Sequence, residues 1–415
     1  MTQWAPVWRV KIDGTDVTDS VLANLTITSG RTNIYTQAQA GYCSVTLIIF
    51  NQAALPYEIN DTISIEVQDT SAVYVPIFGG SVVDISVSVS QVGSSAYTQE
   101  VTLTALGALA RLQKVLTEGV LTQDFDGNQI KEILTGVLFA QWQQVPAALQ
   151  WNTYDPTTTW SNAGNNGYGE IDTPGNYELA ARSSNRTIVY DLVAALATSG
   201  LGYLYEDGQG LISYGDSTHR TTYLGTYGYT DLTANQALGT GITIKTRAGD
   251  VRNSVTIKYG TNSSSEVSAS DSASIAQYGN LAQIITTTIK HAADATYQAD
   301  FYLSLRAYPE PIFESITYAL TNPELDNADR DALIKVFMGQ PVAINDLPLN
   351  MSAGTFQGFV EGWTFRASYN ELDVTLLMSP LAYSLTTMRW SDVPITEKWN
   401  TVSPTLDWAN ATIVS

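Results

Sequence analysis

Over the first 115 residues, apolar positions recur at every second place. Ile63, Ile65 and Val67 alternate with Ser64 and Glu66, and Val83, Ile85, Val87 and Val89 alternate with Asp84, Ser86 and Ser88. Val101, Leu103 and Ala105 alternate with Thr102 and Thr104. Period two turns one set of side chains to a core and the other to water, as in an antiparallel sandwich or barrel. The β-branched residues suit that pleated surface. Leu106, Leu109 and Leu112, spaced by three, predict a short helix closing the segment.

The period then changes. Ile130, Ile133, Leu134, Val137 and Leu138 share one face of a helix predicted over Asp126–Phe139. Asp126 is its expected cap, and Gln129 three residues on completes a capping box worth about 1 kcal/mol. A loop rich in Trp, Asn and Gly follows from Trp151 to Asn176. A second helix is predicted over Thr187–Ser199, through Ile188, Leu192, Ala195 and Leu196, and stopped by Gly200. Tyr203–Tyr214 reads as a hairpin turning at Asp207-Gly208-Gln209-Gly210.

Alternation returns after Gly241 with Val255, Ile257 and Tyr259. The Ser-rich stretch Asn262–Ser274 predicts a flexible loop, and Asp294–Tyr308 a helix stopped by Pro309. A shorter helix is expected from Asn327 or Asp329 to Met338, with Asp326, Asp329 and Asp331 where acids favour a helix N-terminus. Beyond residue 380 little pattern remains except tryptophan. Trp390, Trp399 and Trp408 recur every nine residues in a segment with too little other apolar content for its own core. They predict either an extended arm anchored on another surface, or a strand pair packed on the preceding sheet.

Charge narrows the function. Of 415 residues, 20 are Lys or Arg and 40 are Asp or Glu, a formal charge of −20. Gripping a nucleic-acid backbone needs clustered cations, so stable nucleic-acid binding is excluded. Residues 116–240 hold thirteen acids and four bases, nearly half of the excess. The longest apolar runs, such as Val45–Phe50, are far too short for a membrane span, and the N-terminus carries no signal-peptide pattern. The single cysteine, Cys43, is expected as a buried small hydrophobe. His219 and His291 have no metal-ligand spacing and no evident partner, so no metal or cofactor is expected.

Candidate catalytic motifs fail one by one. Glu170-Ile171-Asp172 resembles the start of a glycosidase carboxylate strand, yet Gly175 stands where a third carboxylate belongs, with Pro174 before it. A solvated loop is the expectation there. Asp124-Phe125-Asp126-Gly127-Asn128 resembles half a calcium loop, but Gln129 and Thr135 occupy the positions that need Gly and Glu. No P-loop and no serine elbow is present. The expectation is a protein that is not an enzyme.

Two distant segments line up. Ile63-x-Ile65, Phe78-Gly79-Gly80-Ser81-Val82 and Val101-Thr102-Leu103 match Val342-x-Ile344, Phe356-Gln357-Gly358-Phe359-Val360 and Val374-Thr375-Leu376 in order and in approximate spacing. Glycine inside a strand marks a bulge or a close backbone approach. The Phe-x-Gly-x-Val strand resembles that of phage tail and baseplate hub proteins. The opening Trp8–Thr18, Ser29-Gly30-Arg31 and Ala40-Gly41 are similar to the start of minor tail proteins from long-tailed phages. Ser274-Ile275-Ala276-Gln277-Tyr278-Gly279, Gly358–Trp363 and Leu377–Pro380 extend the resemblance over most of the chain.

The resemblance implies a fold that is mainly β with an α+β insertion, made of two related small β-barrels, the inserted α+β domain and an extended C-terminal arm. The expected boundaries are 1–115 for the first hub barrel, 116–240 for the insertion, 241–380 for the second barrel with helices, and 381–415 for the Trp-rich arm. It further implies a homotrimer at the virion tail tip, assembled in the host cytoplasm. Three chains with two repeats each would present six similar faces to a sixfold tail tube. The implied partners are the tail tube or distal tail protein, the tape measure protein and other tip or fibre proteins, with DNA passing through the lumen. Trp390, Trp399, Trp408, Arg31 and Phe78 are the expected interface residues. Two alternatives stay open: a carbohydrate-binding or cell-wall-degrading protein, since 23 Tyr and 9 Trp suit sugar stacking, and a receptor-binding tip that presents the Trp151–Asn176 loop.

Overall fold

The structure is a computed structural model. It describes residues 4–17, 21–50, 55–89, 98–141, 151–152, 169–237, 243–246, 248–309, 311–347, 354–368 and 370–380. Seven strands come first: β1 Trp8–Ile12, β2 Thr15–Asp16, β3 Val21–Gly30, β4 Tyr42–Ile49, β5 Thr62–Gln68, β6 Tyr74–Val89 and β7 Gln99–Leu106. The short helix α1 (Leu109–Leu112) follows, as the leucine spacing predicts. Next come the two-residue strands β8 Leu116–Thr117 and β9 Asp124–Phe125, helix α2 (Asp126–Gln141), and β10 Trp151–Asn152, β11 Gly169–Glu170, β12 Glu178–Leu179 and β13 Thr187–Ile188. Helix α3 (Val189–Ser199), the hairpin β14 (Tyr203–Glu206) and β15 (Ile212–Gly215), helix α4 (His219–Tyr227) and β16 (Thr230–Thr233) complete this stretch.

The remainder is β17 Thr243–Thr246, β18 Ser254–Tyr259, β19 Ser265–Ser270, α5 Ser272–Tyr278, β20 Ala282–Thr286, α6 Ala292–Arg306, β21 Pro311–Ala319, α7 Asn327–Ile334, β22 Pro341–Asn345, β23 Phe356–Ser368 and β24 Glu371–Pro380. The chain is mainly β. Thirteen strands form one mixed sheet in the order β17-β21-β24-β23-β3-β4-β7-β6-β5-β1-β2, with β22 also on β23 and β16 on β22.

The repeat read in the sequence holds residue by residue in the hydrogen-bond register. Ile65 lies opposite Phe78 and Ile63 opposite Gly80, while Ile344 lies opposite Phe356 and Val342 opposite Gly358. Both long strands then carry a bulge at the same place, between Val82 and Asp84 in β6 and between Val360 and Gly362 in β23. Past the bulge, Ile85 faces Leu103 as Trp363 faces Leu376. The next strand out repeats as well: the hydroxyls of Thr46 and Thr102 lie 2.9 Å apart and those of Thr317 and Thr375 2.8 Å apart. Strands β3-β4-β7-β6-β5 thus match β17-β21-β24-β23-β22. The copies differ at their outer edge, where β1 runs antiparallel to β5 but β16 parallel to β22.

Among the described residues no closed barrel forms, and the two copies share one sheet. Strand β3 of the first copy pairs with β23 of the second from Gly30↔Gly362 to Asn24↔Ser368, so one open sheet runs through both. The Ser-rich segment expected as a loop contains strand β19, hydrogen-bonded along its whole length to β18, and runs on into α5. Serines tolerate this exposed edge, where Ser268 pairs with the Thr256 hydroxyl at 2.8 Å. Helix α6 lies against β18 and β19 and ties them to the inserted segment, where Gln298 donates to the Ser199 carbonyl at 2.8 Å. Asp326 caps α7 by accepting from the Asp329 N–H at 2.8 Å. No described helix is long and apolar enough to cross a membrane.

Candidate assembly site

The seam between the copies is built from the bulge outward. Gly30 ends β3 at φ +86, and a Cβ there would stand 2.3 Å from the Glu361 carbonyl oxygen. Only glycine lets the strands approach this closely. The next residue, Arg31, donates its N–H to that same carbonyl at 2.8 Å. Glu361 is the extra residue of the β23 bulge, and the bulge aims its side chain inward to 1% exposure.

Its carboxylate takes Arg31 Nε at 2.6 Å, Arg220 Nη1 at 2.7 Å and Arg220 Nη2 at 3.0 Å, and also accepts from the Ser379 hydroxyl. Arg220 comes from α4 and rests on the Tyr203 ring, 4.5 Å from its centroid. One carboxylate therefore joins the first copy, the second copy and the insertion. Burial alone would raise the Glu361 carboxyl, but the two guanidiniums override it and hold it at about 2. A buried charge lives only with such partners.

The insertion docks on the first copy through the β14–β15 hairpin, whose eight strand residues are all buried. Its turn crosses β6: a Cβ on Gly79 would stand 1.8 Å from the Gln209 carbonyl oxygen, so the backbones touch there. Asp207 shapes the turn by accepting from the N–H groups of Gln209 at 2.9 Å and Leu211 at 2.8 Å. Glu206 reaches back to accept from the Gly41 N–H at 2.7 Å and from the Leu109 N–H. Burial pushes the Glu206 carboxyl up to about 7, against the pull of those two donors.

Arg31 and Phe78 lie inside the chain, at 8% and 3% exposure. Trp390, Trp399 and Trp408 lie outside the described residues, as does most of the Trp151–Asn176 loop. Asp126 and Gln129 do not form the capping box. The Asp126 carboxylate instead accepts from the Asn176 and Tyr177 N–H groups at 2.8 Å each and from the Tyr214 hydroxyl, and Gln129 donates to the Thr122 carbonyl at 2.7 Å. Burial lifts the Asp126 carboxyl to about 6.

Glu170 is buried rather than solvated, and its N–H meets the Ser213 hydroxyl at 3.0 Å. Both histidines have carboxylate partners, His219 with Asp172 at 2.8 Å and His291 with Glu178 at 2.6 Å. These pairs join residues 47 and 113 apart, a separation that spacing rules do not reach. Among the described residues no group of three or more His, Cys, Asp or Glu is placed to hold a metal ion. Cys43 is fully buried, as expected.

Neither a family model nor a curated protein matches the sequence. Solved structures do. The tail protein from Neisseria meningitidis MC58 is 11% identical, superposes at a TM-score of 0.59, and covers 92% of this chain and 98% of that one. The 43 kDa tail protein of prophage MuSo2 from Shewanella oneidensis is 13% identical at a TM-score of 0.52, with 91% and 99% covered. The chain has a phage tail-protein fold. The likeness spans nearly the whole of both neighbours and more than nine-tenths of this chain. At such identities it establishes the architecture and carries no residue roles across.

Proposed function

We propose that this protein is a structural component of a phage tail tip, a homotrimeric hub that joins the sixfold tail tube to threefold tip parts. The observation that carries the reading is the duplication. Two copies of a five-stranded sheet, matched in register over four strands with the bulge included, give three chains six similar elements. A chain with one copy would need six subunits to do the same. The tail-protein fold of the two solved neighbours supports it.

In this reading the ring faces the tail tube or distal tail protein on one side, receives the tape measure protein and other tip or fibre proteins, and works without catalysis. The acidic surplus, −20 over the chain, suits a lumen that repels DNA phosphates so that a genome slides through without sticking. The protein would act in the virion after assembly in the host cytoplasm, with the Trp390, Trp399 and Trp408 arm laid on a neighbouring subunit. The test is the mass of the purified protein by sedimentation, together with class averages in negative stain. A trimer with six-lobed end views is expected. A monomer at all concentrations, with no ring on isolated tails, overturns the reading.

A further inference from the structure

The second copy is covered where the first is bare. Beyond its bulge, β23 has β24 on one side and β3 on the other, and its inward residues Trp363, Phe365 and Ala367 are buried. The matching stretch of β6, Asp84–Val89, has β7 on one side, while the pairing with β5 ends at Ser81 and the last backbone bonds from that side, from Asn60 and Asp61, reach Val82. Among the described residues no strand lies on the other side. The residues equivalent to Phe365 and Ala367 are Val87 and Val89, apolar and 47% and 46% exposed. Gly107 donates to Gly41, so by alternation Thr104, Thr102 and Glu100 turn their main chain toward β6, opposite Asp84, Ser86 and Ser88. Ile85, Val87 and Val89 therefore aim their N–H and C=O groups at the bare edge, an open template for a strand.

The strand that fits it lies at the other end of the sheet. β17 pairs with β21 on one side only among the described residues. It stands where β3 stands in the first copy: Thr26 lies opposite Ser44, Thr243 opposite Ser315, and each threonine is followed by isoleucine, although β21 carries an extra residue there that sets Ile244 opposite Phe313 where Ile27 faces Cys43 and leaves β17 itself continuous. We infer that β6 from Asp84 to Val89 pairs antiparallel with β17 of a second copy of this chain, in the register by which β3 pairs with β23 inside it. Thr26 lies opposite Arg366 within the chain. Thr243 thus falls opposite Ser88, Ile244 opposite Val87 and Lys245 opposite Ser86. The contact is head-to-tail, so repeating it closes a ring or grows a filament. It rests on the hub reading for closure at three chains, and names the edges that close it.

Disulfide trapping and edge-blocking variants test it. Ser86 and Lys245 form a non-hydrogen-bonded pair across the new edge, about 4.5 Å between Cα atoms, within reach of a disulfide. Oxidised Ser86→Cys/Lys245→Cys protein is expected to run as covalent dimers and trimers on non-reducing gels. Ser86→Cys/Ile244→Cys, slipped by one residue, puts the thiols on opposite faces and stays uncross-linked. Val87→Pro removes one edge donor and leaves the β7 ladder untouched, so it weakens association about tenfold or more. Val87→Lys, a side chain already exposed, blunts the same edge without a backbone change.

Trimers that persist in Val87→Pro and Val87→Lys, with no cross-link above the slipped control, overturn the edge pairing and leave the hub reading standing. Another occupant, the chain's own residues 381–415 included, would give that result. A wild-type protein that stays monomeric, together with a Ser86→Cys/Lys245→Cys variant that forms no cross-link, sinks both. If Val87→Pro fails to fold, the lysine variant and the cysteine pairs decide.

Discussion

Glu361 is the residue on which three parts of the chain converge, and its loss is costly for a simple reason. Glu361→Ala leaves Arg31 and Arg220 charged and buried without their counter-ion, so the chain should lose about 3–5 kcal/mol of stability, read as a lower urea midpoint. Glu206 makes an opposite statement about pH. Its carboxyl rises from 4.5 to about 7 on folding, so the native state holds that proton more tightly. The stability it contributes is whole below pH 4.5 and declines as pH climbs through 7, by about 3 kcal/mol for a shift of this size. For Glu361, held at about 2, stability is present above pH 4.5 and fades as pH falls toward 2. Urea titrations from pH 5 to 8 should show a shallower fall for Glu206→Gln than for the wild type, whatever the variant's absolute stability. An unchanged slope would refute the assignment. Glu361 left a trace in the sequence, a lone acid inside Phe359–Trp363. Its partners lie 330 and 141 residues away, and no local pattern reports them.

At the scale of elements, glycines mark where backbones touch. Gly79 sits mid-strand in β6, where the turn of the β14–β15 hairpin crosses. Gly79→Ala puts a methyl on the Gln209 carbonyl and should push the hairpin off the sheet, at about 1–3 kcal/mol. Proteolysis in the hairpin that rises with the loss would confirm the place of failure; a loss with no new cleavage would put it elsewhere. The alternating runs of β5, β6 and β7 were legible because one face is dry and the other wet. The joint between the copies was not. Closure depends on which strand edges meet, and the β3–β23 joint pairs residues more than three hundred positions apart. The Ser-rich strand β19 escaped notice because an exposed edge strand needs no apolar face. Asp126 looked like a helix cap because local spacing suggests one, yet a buried tyrosine and two backbone donors outcompete that role.

For the whole molecule, the duplication was legible in the sequence because hydrogen-bond register and apolar spacing are two expressions of one period. Its completeness was not, since the shared bulge and the matching threonine pairs show only when strands are placed side by side. The copies have parted at one telling position. Where the second has Glu361, buried and gripping two arginines, the first has Val83, 39% exposed. A collar of three such chains would have joints of two kinds. Those within a chain are latched by an ionic clasp and tethered by the polypeptide; those between chains, with Val83 in the place of Glu361, would lack this clasp and the tether. Outward strain from whatever passes through would unzip every second joint and leave the others shut, parting the collar into three whole petals rather than six fragments.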